Sequence, residues 1–132
     1  MSDYELSVTG GDLVAMTMNN GLSEMLKPLV NEIYLITTYI AGTMYIYETA
    51  VFDEIEDGCE LSLKREPDND YDTYAILVLN RSGRKLGYVP RNDNRIIARL
   101  MDAGKQMKVT VKEIERDDED IDVSIRIYMI DF

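Results

Sequence analysis

Residues 63–91, LKREPDNDYDTYAILVLNRSGRKLGYVPR, decide how this chain folds. Glu60–Arg65 alternates apolar and polar, with Leu61 and Leu63 on one face, as a half-buried strand does. Pro67-Asp68-Asn69-Asp70 has turn composition, because Asn and Asp side chains bond their own backbone two residues on. Ala75–Leu79 is a continuous apolar run that suits a strand buried on both sides. Asn80–Gly83 supplies the next turn, and Lys85–Val89 makes a short returning strand.

Working outward, Tyr34–Ala41 is β-branched and aromatic and is stopped by Gly42, so a buried strand and turn are expected there. Asn92 or Asp93 is placed to cap a helix whose buried stripe is Ile96, Ile97, Leu100 and Met101, closed by Gly104. Met107–Ile114 and Ile121–Ile130 alternate as a final hairpin, with the acidic Glu115–Asp120 as its solvated connection. Short strands around one internal helix point to a mainly β (α+β) barrel over residues 33–132. Residues 1–32 are expected to form a partly helical extension. Leu22, Met25, Leu26, Leu29, Val30 and Ile33 fall there at helical spacing, around a kinking Pro28.

Composition removes whole classes of chemistry. The chain has 132 residues, one cysteine and no histidine. Cys59 alone can form no intramolecular disulfide or cysteine-rich zinc site, and its acidic neighbourhood does not activate the thiol. Ser-His-Asp triads and His-ligated metals are excluded. The opening MSDYELSVTG lacks a basic region and an apolar run. The longest uncharged stretch, Ile33–Tyr47, falls short of the roughly 18–20 residues a bilayer span needs. A cytoplasmic protein without a membrane partner is therefore expected.

Net charge is −11, but it is unevenly placed. Residues 1–80 carry three basic groups against fifteen acidic ones. Residues 81–112 reverse this, with nine basic groups against Asp93 and Asp102, a net of +7. Residues 113–132 return to −6. A single basic segment inside an acidic chain is either an anion-binding face or a set of cations paired with surrounding carboxylates.

The ordered pieces Arg65-Glu66-Pro67-Asp68-Asn69-Asp70-Tyr71-Asp72, Ala75-Ile76-Leu77-Val78 and Gly83 through Gly87-Tyr88-Val89-Pro90-Arg91 resemble the HIRAN domain family. Gly42 with Tyr45 resembles that family's first glycine-aromatic turn, and the likeness covers roughly residues 34–115. The resemblance implies a six-stranded OB-like barrel with one or two helices, related to the N-terminal domain of helicase-like transcription factor and to free-standing bacterial proteins. It implies a groove that binds single-stranded DNA at a free 3′-hydroxyl end, in DNA repair or replication-fork processing.

By that resemblance Asp72 accepts a hydrogen bond from the 3′-OH, and Tyr71 with Asn69 shapes the end pocket. Tyr45 stacks on a terminal base, Tyr88 stands beside the strand, and Arg91 meets a phosphate. The residue chemistry suits these roles. A carboxylate is acceptor-only, so it favours a hydroxyl and repels a terminal phosphate. Tyrosine stacks on any base, and arginine forks onto phosphate oxygens. Met44 stands where a characterised member has arginine, and Ile46 replaces a second tyrosine. Weaker, more salt-sensitive binding is the expected consequence.

Two other functions compete. Asp68, Asp70 and Asp72 open like a calcium loop, but Thr73 and Leu79 occupy the glycine and glutamate positions; a shared Mg²⁺ for nuclease chemistry is the surviving version. A protein-interaction or adaptor module with little DNA affinity is the stronger rival, given the acidic surface and the open strand edges expected of a partial barrel. No GxxxxGK[ST] motif is present, so no motor or other enzyme activity and no cofactor is expected. Any such activity belongs to a partner, a helicase or nuclease to which this module brings DNA ends.

Overall fold

The computed structural model describes residues 31–131. In chain order they form β1 (Asn31–Tyr39), β2 (Glu60–Arg65), β3 (Ile76–Leu79), β4 (Lys85–Tyr88), the helix α1 (Arg91–Asp102), β5 (Gln106–Asp117) and β6 (Asp120–Asp131). Two 3₁₀ turns, Thr43–Tyr45 and Thr49–Glu54, lie between β1 and β2. The extension expected to end at residue 32, with its helical stripe, lies outside the described residues except at its last positions. There β1 has already begun at Asn31, so Ile33 is in a strand. The β-branched and aromatic run Ile33–Tyr39 favours that pleated surface over a helix.

The six strands make one sheet in the order β1-β6-β5-β2-β3-β4. Ladders β2–β3, β3–β4, β2–β5 and β5–β6 are antiparallel. Bulges at Val78/Leu79 and Val111/Glu113 help bend the strands. The first and last strands of this order would be open edges, but the sheet curls until they meet. Ala41, just beyond β1, exchanges both backbone hydrogen bonds with Tyr88 of β4, at 2.8 and 2.9 Å. The meeting point needs a residue without a side chain. A Cβ on Gly87 would lie 2.4 Å from the Ala41 carbonyl oxygen and 2.6 Å from Ile40 Cγ2.

Inside the curl, Ile76, Val78, Leu86, Val109, Val111, Val123, Ile125 and Ile127 are buried, with Phe52 of the second 3₁₀ turn among them. Buried Asn80 holds the β3–β4 turn. Its carbonyl accepts from the amides of Ser82 and Arg84, and its amide donates to Val51 O at 3.1 Å.

Five local expectations change. Helix α1 starts at Arg91 behind Pro90, and no side chain caps it. Pro90 itself is extended and ends the preceding strand path, so the helix begins one or two residues before the candidate caps Asn92 and Asp93. Ile96 is exposed, and the buried stripe instead runs through Asn94, Ile97 and Ala98. The β1 region is half exposed, with Tyr34 and Tyr39 facing solvent. β3 alternates, Ile76 and Val78 buried and Leu77 and Leu79 half-buried. The acidic connection is tighter than Glu115–Asp120. β5 and β6 continue into it as a paired ladder and turn at Asp118–Glu119, Asp118 having φ 35°.

Gly87→Ala is expected to destabilise the domain by about 1–3 kcal/mol, the usual cost of overpacking a closed site. Denaturant unfolding measures this, and a midpoint equal to that of the parent protein would show that the closure tolerates a methyl group.

Candidate nucleic-acid interface

Closing β1 onto β4 leaves a cleft beside the junction. It has a volume of about 350 Å³, and Ala41, Ala75, Tyr88 and Val89 form its apolar base, while Asn69, Tyr71, Asp72 and Arg91 come from the β2–β3 loop and the start of α1. Five of the six site residues read from the sequence are therefore brought together. Tyr45 is not part of this lining. It is exposed on the 3₁₀ turn that follows Ala41.

The loop is built by its own side chains. Asn69 Oδ1 accepts from the amides of Tyr71 and Asp72 at 2.9 and 3.0 Å, an Asx-type turn. Its amide donates to Glu66 Oε1 at 2.7 Å, and Tyr88 donates its hydroxyl to the same oxygen at 2.8 Å. Glu66 thus ties the loop to β4. These bonds, from Asn69 and then Tyr88, hold the Glu66 carboxyl below its ordinary range against the opposing effect of burial. Burial first, then the bond to Glu66, pushes the Tyr88 phenol up, so it remains a donor. Arg65 clamps the far side, donating to Thr73 O and Ala75 O while pairing with Asp102 of α1.

Asp72 sits at the centre. Its Oδ1 accepts from the Tyr74 amide at 2.9 Å, and its Oδ2 accepts from Asn94 Nδ2 at 2.7 Å. Burial pushes this carboxyl up. The Tyr74 amide, Asn94 and the guanidiniums of Arg91 and Arg65 outweigh that and hold it below the usual aspartate range. The side chain is 15% exposed, and a carboxylate has about four lone-pair sites. Two are filled by these bonds, so an incoming hydroxyl can be accepted. Arg91 Nε stands 3.6 Å from Asp72 Oδ2, and its Nη2 donates to Tyr71 O at 3.1 Å. The Arg91 side chain is otherwise exposed at the rim, with donors free for an oxyanion. Tyr71 presents its ring to solvent, 87% exposed.

Glu66 and Asn94 bond directly to the cleft residues, and sequence reasoning named neither for the site. Asn94 had a legible signal: it shares a helix face with Ile97, Ala98 and Met101, and a polar residue on a buried stripe needs a partner. The aspartates of the loop do not converge, and among the described residues no three His, Cys, Asp or Glu side chains gather as a metal site. A second cleft of about 440 Å³, between Leu35 and Ile36 of β1 and residues 92–97, holds none of the six sequence-read residues.

Comparison with known proteins bears on the family and the fold. The model of the HIRAN domain matches residues 33–129, extending the likeness through the final hairpin. A protein from Lactobacillus plantarum is similar at 26% identity, over 78% of this chain and 99% of that one, with a TM-score of 0.72. The crystal structure of the HIRAN domain of human HLTF is similar at 19% identity, over 76% of this chain and 78% of that one, with a TM-score of 0.62. Its NMR structure gives 20% identity, 75% and 78% coverage and a TM-score of 0.54. No curated protein matches significantly. The mainly β, OB-like fold expected from the sequence is the fold observed.

Because the Asp72 pKa is lowered on folding, its contribution to stability is full above the unfolded aspartate pKa and is lost as pH falls through the folded value. Carboxyl NMR titration is expected to place Asp72 below about 3.9, the ordinary aspartate value. Asn94→Ala is expected to raise it by removing one donor. A midpoint unmoved by that substitution would break the link between the two side chains.

Proposed function

The chain belongs to the HIRAN domain family, and from that premise we propose that it is a binding module for single-stranded DNA that receives a free 3′-hydroxyl end in the Asp72 cleft. The observation that carries this reading is a carboxylate, kept ionised and only partly used, at the base of an arginine- and tyrosine-rimmed cleft. Asp72 accepts the terminal hydroxyl and repels a phosphate in its place. Asn69 holds the loop that carries it, and Asn94 orients the carboxylate from below. Tyr71 and Tyr45 offer stacking surfaces, worth roughly 1–3 kcal/mol per base. Tyr88, held by Glu66, walls the cleft, and Arg91 meets the adjacent phosphate.

The acidic balance of the chain is compatible with this role because binding is local. Glu48 and Glu32 are taken up by Arg84 and Lys108, so part of the basic segment is spent on internal pairs. Affinity then rests on a few contacts, which agrees with Met44 standing in place of an arginine. The module carries no catalytic step in this account. It holds an end, in repair or fork processing, while a helicase or nuclease on another chain acts.

Fluorescence anisotropy at low salt tests the assignment. A strand ending in 3′-OH is expected to bind about tenfold or more tightly than the same strand ending in 3′-phosphate, as loss of a charge-assisted bond implies. Asp72→Ala is expected to abolish the preference without loss of the folded state by circular dichroism. Equal binding of the two ends by the parent protein would overturn end recognition. Absence of binding to either would favour the protein-partner reading.

A further inference from the structure

The loop that follows Ala41 is tied to the β4 region at two points. At one end Ala41 pairs with Tyr88 at the cleft wall, and at the other Glu48 pairs with Arg84 next to the β3–β4 turn. The backbone between them is fixed. Gly42 takes φ 79°, which only glycine adopts easily. The amides of Tyr45 and Ile46 bond back to Gly42 O and Thr43 O at 3.1 and 3.2 Å. Thr43 Oγ1 donates to Ile121 O of β6 at 3.0 Å, and Ile46 packs against the core. On this firm support Tyr45 is 78% exposed and Tyr47 100% exposed.

A fully exposed ring has both faces available, which is what a base-stacking platform requires. The opposite bank carries two lysines beside the Glu66 carboxylate. Lys85 Nζ lies 4.5 Å from the Tyr88 ring centroid. Lys64 of β2 is opposite Leu77, and Leu77 is opposite Tyr88, so a cross-strand row from the cleft wall also ends in a lysine. Glu48, the carboxylate of this loop, is already neutralised by Arg84.

We infer that the binding surface continues from the Asp72 cleft as a track between the Gly42–Glu48 loop and β4, taking the next nucleotides of a single strand. Tyr47 is a further stacking residue on one bank, and Lys85 is the phosphate contact on the other. This rests on the end-binding reading above and extends it. It also gives a role to the sequence departure at Ile46: that side chain packs half-buried against the core, and an aromatic surface is supplied by Tyr47 instead.

Thymidine oligonucleotides of two, four, six and eight nucleotides, all ending in 3′-OH, separate the two claims when titrated against the parent protein, Tyr47→Ala, Lys85→Gln and Asp72→Ala. Affinity is expected to rise by about tenfold from two to six nucleotides, and Tyr47→Ala is expected to lose about five- to tenfold on six nucleotides while keeping its affinity for two. For six nucleotides, Lys85→Gln is expected to make the slope of log affinity against log salt shallower by about 0.7, one single-strand phosphate contact. Affinity independent of length, with the effect of Asp72→Ala intact, would overturn the track and leave end recognition standing. Equal losses on two and six nucleotides in Tyr47→Ala would likewise overturn it. Weak binding at every length, insensitive to Asp72→Ala, would remove both.

Discussion

The structure depends on the close approach of Ala41 to Tyr88 across Gly87. Two backbone hydrogen bonds join the ends of a six-stranded sheet there, and no side chain fits between them. Closure removes edge strands that would otherwise present unpaired backbone groups. It also makes the site, since Ala41 and Tyr88 are both walls of the cleft. Stability and binding therefore share one junction: moving the backbone at Gly87 changes the cleft as well as the fold.

In the proposed function, the cleft has to hold its own carboxylate beside an incoming anionic strand. Asp72 is surrounded by donors: the Tyr74 amide, Asn94, and the nearby charge of Arg91 and Arg65. These keep it ionised and aim it, and Arg91 remains exposed at the rim. Glu66 plays a quieter part. By accepting from both Asn69 and Tyr88, it couples the loop carrying Asp72 to the strand that closes the barrel. Exposed charges farther away are screened, so the local balance at the cleft matters more there than the net charge of −11.

Much of this was legible in the residues. Glu60–Arg65 alternates and forms β2 over those positions, because period-two burial leaves one face for Leu61. The loop of Asn69, Tyr71 and Asp72 was marked by turn chemistry, and it lines one cleft with Tyr88 and Arg91. The misses have physical causes. Helical spacing alone could not tell that Ile96 faces solvent and Asn94 faces inward, since the face buried is set by where Asp72 and the sheet lie. An acidic run reads as a loop by composition, yet the β5–β6 ladder carries on through it because each strand supplies the other's backbone partners. Tyr47 gave no signal at all: its exposure follows from the 3₁₀ turn and from Ile46 packing half-buried against the core.

The central claim is that the cleft at the barrel closure is where a DNA end sits. Amide chemical-shift mapping of the labelled protein with a 3′-hydroxyl dinucleotide tests it most directly. The account predicts that the shifted resonances cluster at residues 69–73 and 88–94, excluding Pro90, with the β5–β6 turn unmoved. Shifts centred on the cleft between β1 and α1, or on the acidic turn, would contradict it.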